Sequence, residues 1–107
     1  PGLVTEGSLQ QTQVTIVVTG ATYPAVGFSF RLPTDSSTVR VAGYRIETTL
    51  NGEEPNVSDS YLDNASGSVV TGKFVGTVGD QLCIRVAALG ATNAVGSWVS
   101  LGCYTLQ

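Results

Sequence analysis

The feature that most constrains this chain is the run from residue 81 to 105, where strict alternation brackets two cysteines. Leu82, Ile84, Val86 and Ala88 alternate with Cys83, Arg85, Ala87 and Leu89. Period-2 alternation of apolar and β-branched residues is the pattern of a half-buried strand. A loop follows, from Gly90 to Gly96, and then a second run with Trp98, Val99, Leu101, Cys103 and Tyr104. A turn centred on Asn93 sets Cys83 opposite Cys103, at the ~4.5–5.5 Å Cβ spacing of cross-strand partners, which a disulfide can span. Cys83 then shares a face with Arg85, so the bridge is expected on the outer face. Closing a loop of about twenty residues contributes roughly 3 kcal/mol in the chain-entropy account. The competing reading is two free, buried cysteines acting as small apolar residues.

The rest of the chain repeats the period. Residues 11–19 read as a strand with Val14, Ile16 and Val18 on one face. Residues 25–32 alternate Val26, Phe28, Phe30 and Leu32 with Gly27, Ser29 and Arg31, and Pro33 ends the run because proline cannot feed a ladder. Residues 39–50 put Tyr44, Ile46 and Thr48 inward and Arg45, Glu47 and Thr49 outward, up to an Asn51-Gly52 turn. A short edge strand is expected at 58–62. Another spans 68–78, with Gly72 and Gly76 marking a bulge. Residues 1–9 read as a flexible arm or linker, since Gly2, Gly7 and Ser8 interrupt any period, and residues 10–107 as one domain. About seven short strands with regular turn signals define an all-β, two-sheet antiparallel sandwich.

Composition excludes several classes. Hydrophobic residues make up 42% and charged ones 12% of the 107 positions, and net charge is −3. The five basic residues, Arg31, Arg40, Lys73, Arg45 and Arg85, do not cluster, which argues against nucleic acid as a partner. No apolar run approaches the ~20 residues of a membrane-spanning helix, so no membrane insertion is expected. The chain opens with Pro1 and has no methionine, as expected of a processed chain or a piece of a larger protein. A disulfide implies an oxidising setting: secreted, cell-surface or virion.

Four stretches are similar to the fibronectin type III family. Phe28-Ser29-Phe30-Arg31-Leu32-Pro33 resembles its second strand, and Ala42-Gly43-Tyr44-Arg45-Ile46-Glu47 its third. Leu82-Cys83-Ile84-Arg85-Val86-Ala87-Ala88 resembles the sixth, and Gly96-Ser97-Trp98-Val99-Ser100 the start of the seventh. Phe30 stands where that family commonly has tryptophan. Leu82 stands where a tyrosine anchors the corner, so that hydrogen bond is missing. Another immunoglobulin-like family with the same two-sheet layout fits these departures as well. The resemblance implies an immunoglobulin-like sandwich serving as a spacer or attachment module. The chain has no Arg-Gly-Asp tripeptide, so integrin binding does not carry over.

Catalytic chemistry finds little footing. With no histidine, Ser-His-Asp and Cys-His sites and histidine-based zinc sites are excluded. There is no phosphate-binding glycine loop. No enzyme activity, cofactor or metal is expected. Asp59, Asp63 and Asn64, with Glu53 or Glu54, are oxygen donors suited to calcium, but a solvated edge is the simpler reading. Asn56-Val57-Ser58 and Asn64-Ala65-Ser66 fit the N-glycosylation acceptor pattern. The candidate contact loop is Ala91, Thr92, Asn93, Ala94 and Val95, beside residues 34–38 at one end of the sandwich. The leading expectation is a non-catalytic structural or adhesive module in a larger assembly, contacting a protein partner or neighbouring domains. The alternative is a carbohydrate- or ligand-binding accessory module using Tyr61, Trp98 or Tyr104 as a stacking platform. A third expectation is a homo-oligomer formed through residues 1–9 adding a strand to a neighbour.

Overall fold

The computed structural model describes residues 2–107. Seven strands form: β1 (Thr5–Thr15), β2 (Thr22–Arg31), β3 (Val41–Leu50), β4 (Asn56–Tyr61), β5 (Val69–Val75), β6 (Gln81–Gly90) and β7 (Val99–Thr105). They build two antiparallel sheets, one ordered β1-β2-β5 and the other β4-β3-β6-β7. No helix occurs among the described residues.

Alternate side chains from the second half of β2 and Leu32 just beyond it meet those of β6 between the sheets. Val26, Phe28, Phe30 and Leu32 come from one side, and Leu82, Ile84, Val86 and Ala88 from the other. The aromatic rings interlock: Phe28 stacks on Phe30 and Phe74, with centroids 6.0 and 5.4 Å apart, and Tyr44 meets Phe30 edge-on at 5.4 Å. Alternation thus determines which face each residue takes, and burial of that face drives the two sheets together.

The cysteines pair as expected. Cys83 and Cys103 are cross-strand partners in β6 and β7 and are bonded to each other. Leu82 and Ile84, on either side of Cys83, are buried in the core, so the bridge lies on the outer face. The register is less symmetrical than a turn centred on Asn93 predicts. It shifts between Ile84 and Arg85, where Ile84 pairs with Gly102 but Arg85 with Ser100. Leu101 is the extra residue, and Gly102 has a positive φ of 105°. This bulge changes the phase of β7. Val99 and Leu101 pack on the core before it, and Tyr104 packs on the core after it. Cys103 is left facing out, towards Cys83. The tip then closes tightly, with the Gly90 N–H donating to the Ala94 carbonyl at 2.7 Å.

Three expectations are corrected. The arm over 1–9 is strand from Thr5 onward: Thr5 pairs with Arg31, Ser8 with Ser29 and Leu9 with Phe28, and Val4 is buried. Its glycine marks an irregularity rather than a linker. The register shifts between Thr5 and Ser8, Glu6 has a φ of 54°, and a Cβ on Gly7 would stand 2.5 Å from Leu101 Cδ2. Pro1 lies outside the described residues. The strand over 11–19 ends at Thr15, and the chain turns through Ile16–Ala21, closed by Ile16 N–H to Ala21 carbonyl (2.8 Å) and Gly20 N–H to Ile16 carbonyl (2.7 Å). No bulge occurs at Gly72, since β5 pairs with β2 in unbroken register from Ala25–Val75 to Arg31–Val69. Gly72 instead makes room for the Phe28 ring, whose Cζ would be 2.5 Å from an added Cβ.

The bulge gives a direct test. Gly102→Val forces a β-branched residue into the left-handed region, and it should destabilise the chain by about 2 kcal/mol. Urea unfolding should show a lower midpoint at unchanged m-value. An unchanged midpoint would mean that β7 does not need this phase change.

Candidate functional site

Antiparallel pairing sends the loops to two ends of a body measuring 47 × 30 × 21 Å. One end gathers the β2–β3, β4–β5 and β6–β7 loops. The β2–β3 and β6–β7 loops are joined by the Ala91 N–H donating to the Arg40 carbonyl at 3.0 Å. The β2–β3 and β4–β5 loops are joined more firmly. The Asp35 N–H donates to Ser66 Oγ at 2.8 Å, and the Gly67 N–H donates to the Pro33 carbonyl at 3.0 Å. Between these two loops lies an open cleft of about 560 Å³, lined by residues that include Asp35, Arg40, Tyr61, Asp63 and Asn64.

The walls of this cleft are fixed. Asp35 Oδ1 accepts the Val41 N–H at 2.7 Å, which sets the entry to β3. The Leu62 N–H donates to the Ala42 carbonyl at 2.9 Å, carrying the pairing one step past Tyr61. Asn64 takes a positive φ of 55°, and its carbonyl accepts the Ser68 hydroxyl at 2.6 Å. Tyr61 is the last residue of β4 and remains 62% exposed.

The candidate residues do not all converge there. None of Ala91, Thr92, Asn93, Ala94 and Val95 lines the cleft; Ala91, Thr92 and Asn93 are exposed at the β6–β7 tip. Of the three aromatic candidates, Tyr61 stands free. Tyr104 is half-buried against the core, and Trp98 is half-buried with its ring 4.3 Å from the Arg85 guanidinium. The calcium-type donors are dispersed. Glu53 and Glu54 sit before β4 and Asp63 after it, while Asp59 is held by Arg45. No three acidic side chains converge among the described residues. Asn56 opens β4 opposite Thr48, Asn64 lies in the turn beyond it, and both are exposed.

The outer face of the four-stranded sheet carries the ordered charge. Arg45 grips Asp59 with Nε–Oδ1 at 2.8 Å and Nη2–Oδ2 at 3.0 Å. Arg85 grips Glu47 in the same two-pronged way at 2.7 and 2.9 Å. Both are directly opposed cross-strand pairs, the geometry in which opposite charges assist a sheet. Arg31 pairs with Glu6 across β1 and β2. Among the described residues Arg40 is the one arginine without a side-chain partner.

The opposite end carries a different surface. The β1–β2 ribbon runs past the end of β5, whose last partner is Ala25, and its tip holds Val17 and Val18, each 94% exposed. Residues 7–30, which form this ribbon, contain no charged side chain. The alternation of residues 11–19 continues past Thr15, the last residue of β1 with a partner, so the expected strand includes Val17 and Val18 where the chain already turns. Arg40 carried no local signal; it shares the β2–β3 loop with Asp35, which lies in the expected contact stretch 34–38, and the cleft forms only because that loop meets the β4–β5 loop.

Compared with known protein families, curated proteins and solved structures, the chain matches none.

The paired carboxylates define an acid response. Hydrogen bonds from Arg85 and Arg45 hold Glu47 and Asp59 below their ordinary values, and the Asn51 amide followed by the Thr77 N–H does the same for Asp80. A carboxyl depressed in the folded state contributes stability above its unfolded value, and that contribution is lost as pH falls through the folded value. The melting temperature should therefore be flat near neutrality and drop below about pH 4. Glu47→Gln/Asp59→Asn should be less stable at pH 7 and show a shallower acid limb. An acid limb as steep as that of the parent would contradict the role of these pairs.

Proposed function

We propose that the chain is a fibronectin type III-like, non-catalytic attachment module of a secreted or surface-exposed assembly. Several features support this reading. The fourth strand pairs with the third in the β4-β3-β6-β7 sheet, whereas in constant-type immunoglobulin domains it joins the other sheet. The four stretches that resemble the fibronectin family fall on β2, β3, β6 and the approach to β7. An outer-face disulfide in a domain this small suits an oxidising compartment.

The observation that carries the attachment role is the β1–β2 tip. Val17 and Val18 gain nothing from folding at 94% exposure. They stand at the end of an uncharged ribbon, flanked by Thr15 and Thr19 and followed by half-exposed Tyr23. Apolar side chains held out in water favour association with a partner surface, and a protruding hairpin is shaped to enter an apolar recess on a neighbouring protein domain.

Val17→Ser/Val18→Ser tests the role without touching the core. Because both positions are solvent-facing, stability should change by no more than about 0.5 kcal/mol. The polypeptide carrying the variant should be washed from the surface fraction that retains the parent. Equal retention of variant and parent, with folding intact, would contradict attachment through this tip.

A further inference from the structure

We infer that the cleft between the β2–β3 and β4–β5 loops is a binding site for a neutral saccharide. This goes beyond the attachment reading and does not rest on it, since the cleft and the valine tip lie at opposite ends of the sandwich.

The chemistry of the lining selects the ligand class. The cleft holds one guanidinium, Arg40, and two carboxylates, Asp35 and Asp63, together with the Asn64 amide. An anionic ligand would meet Arg40 but also both carboxylates. A cationic ligand would meet the carboxylates but also Arg40. A neutral polyol suits all of them together. Carboxylate oxygens accept from hydroxyls, the guanidinium donates to hydroxyl or ring oxygens, and the amide does both.

These groups are not used up by the fold. Asp35 spends Oδ1 on the Val41 N–H, and Oδ2 makes no hydrogen bond among the described residues. Arg40 and Asp63 form no ion pair there. The Asn64 side-chain amide is likewise unengaged, its backbone carbonyl alone being bonded, to Ser68.

Tyr61 supplies the apolar element. Tyr61 is 62% exposed and lines the cleft, and its backbone is held in β4 by pairing with Gly43. A ring fixed on a strand offers a flat surface for the C–H face of a pyranose at small entropic cost, since only two side-chain torsions need ordering. Flanking hydrogen bonds fix the polar residues, Asp35 through Ser66 and Val41 and the turn at Asn64 through Ser68. The site is thus largely pre-formed, and its volume of about 560 Å³ suits one or two sugar rings.

The test is titration of the whole ¹⁵N-labelled, oxidised chain with neutral gluco-, manno- and galacto-oligosaccharides, followed by amide shifts. At least one should give saturable changes at up to about 10 mM, centred on residues 35–42 and 61–66, the millimolar regime being what a single shallow site supports. Tyr61→Ala should weaken that binding by about tenfold or more, while Tyr61→Phe, which keeps the ring, retains it. Arg40→Gln should weaken it without altering the folded spectrum. The inference is overturned if none of these saccharides saturates or if the shifts fall elsewhere. It is also overturned if uronate or sulfated saccharides alone bind, with salt-sensitive affinity, or if a folded Tyr61→Ala binds as the parent does.

Discussion

The structure depends on how β7 is fastened to β6. β6 is the interior strand that the sandwich is built against, with Leu82, Ile84, Val86 and Ala88 in the core and Ala87 and Leu89 buried on its other side. β7 has no such uniform pattern. Val99 and Leu101 belong to one phase of the alternation and Tyr104 to the other, and a regular strand could seat only one set. The positive φ at Gly102 reconciles them. It also turns Cys103 outward, so the covalent tie forms over the sheet and takes no volume from the core.

With that ribbon fixed, the remaining elements are positioned by complementary faces. β3 lies along β6 and delivers Ile46 and Tyr44 inward while aiming Arg45 and Glu47 outward. The outward pair meets Asp59 and Arg85 on the adjacent strands, so the same alternation that fills the core also orders the charges outside it. On the facing sheet, Phe28 reaches across β5 only because Gly72 has no side chain. These contacts hold the strand ends in place, and the strand ends hold the loops. The cleft beside Tyr61 and the ribbon ending at Val17 and Val18 are therefore products of one scaffold, presented at opposite ends of it.

The sandwich and the bridge were readable because both rest on local period and spacing. Alternation at 25–32 and 82–88 identified the inner faces, and two cysteines on either side of a loop could meet in one register. Glycines misled the reading because one residue answers to two causes. Gly72 was expected to mark a bulge but serves a close approach by Phe28. Gly7 was expected to loosen an arm but sits in an irregular stretch of strand against Leu101, and Gly102, where a bulge does occur, stood outside the expectation. Period alone also cannot say where a strand runs out of partners, so the strand expected over 11–19 ran past its true end at Thr15. The cleft was half legible: Tyr61, Asp63 and Asn64 were candidates and Asp35 lay in the expected contact stretch 34–38, whereas Arg40 joins them through loop contacts that no local pattern encodes.

Amide hydrogen exchange on the oxidised and reduced chain tests the dependence on the β6–β7 fastening most directly. With the bridge intact, β7 amides from Val99 to Thr105 should be protected to a degree comparable with β6. On reduction, protection should fall first and furthest in β7 while β2, β3 and β6 keep theirs. An equal loss across all strands, or β7 protection unchanged by reduction, would contradict the account.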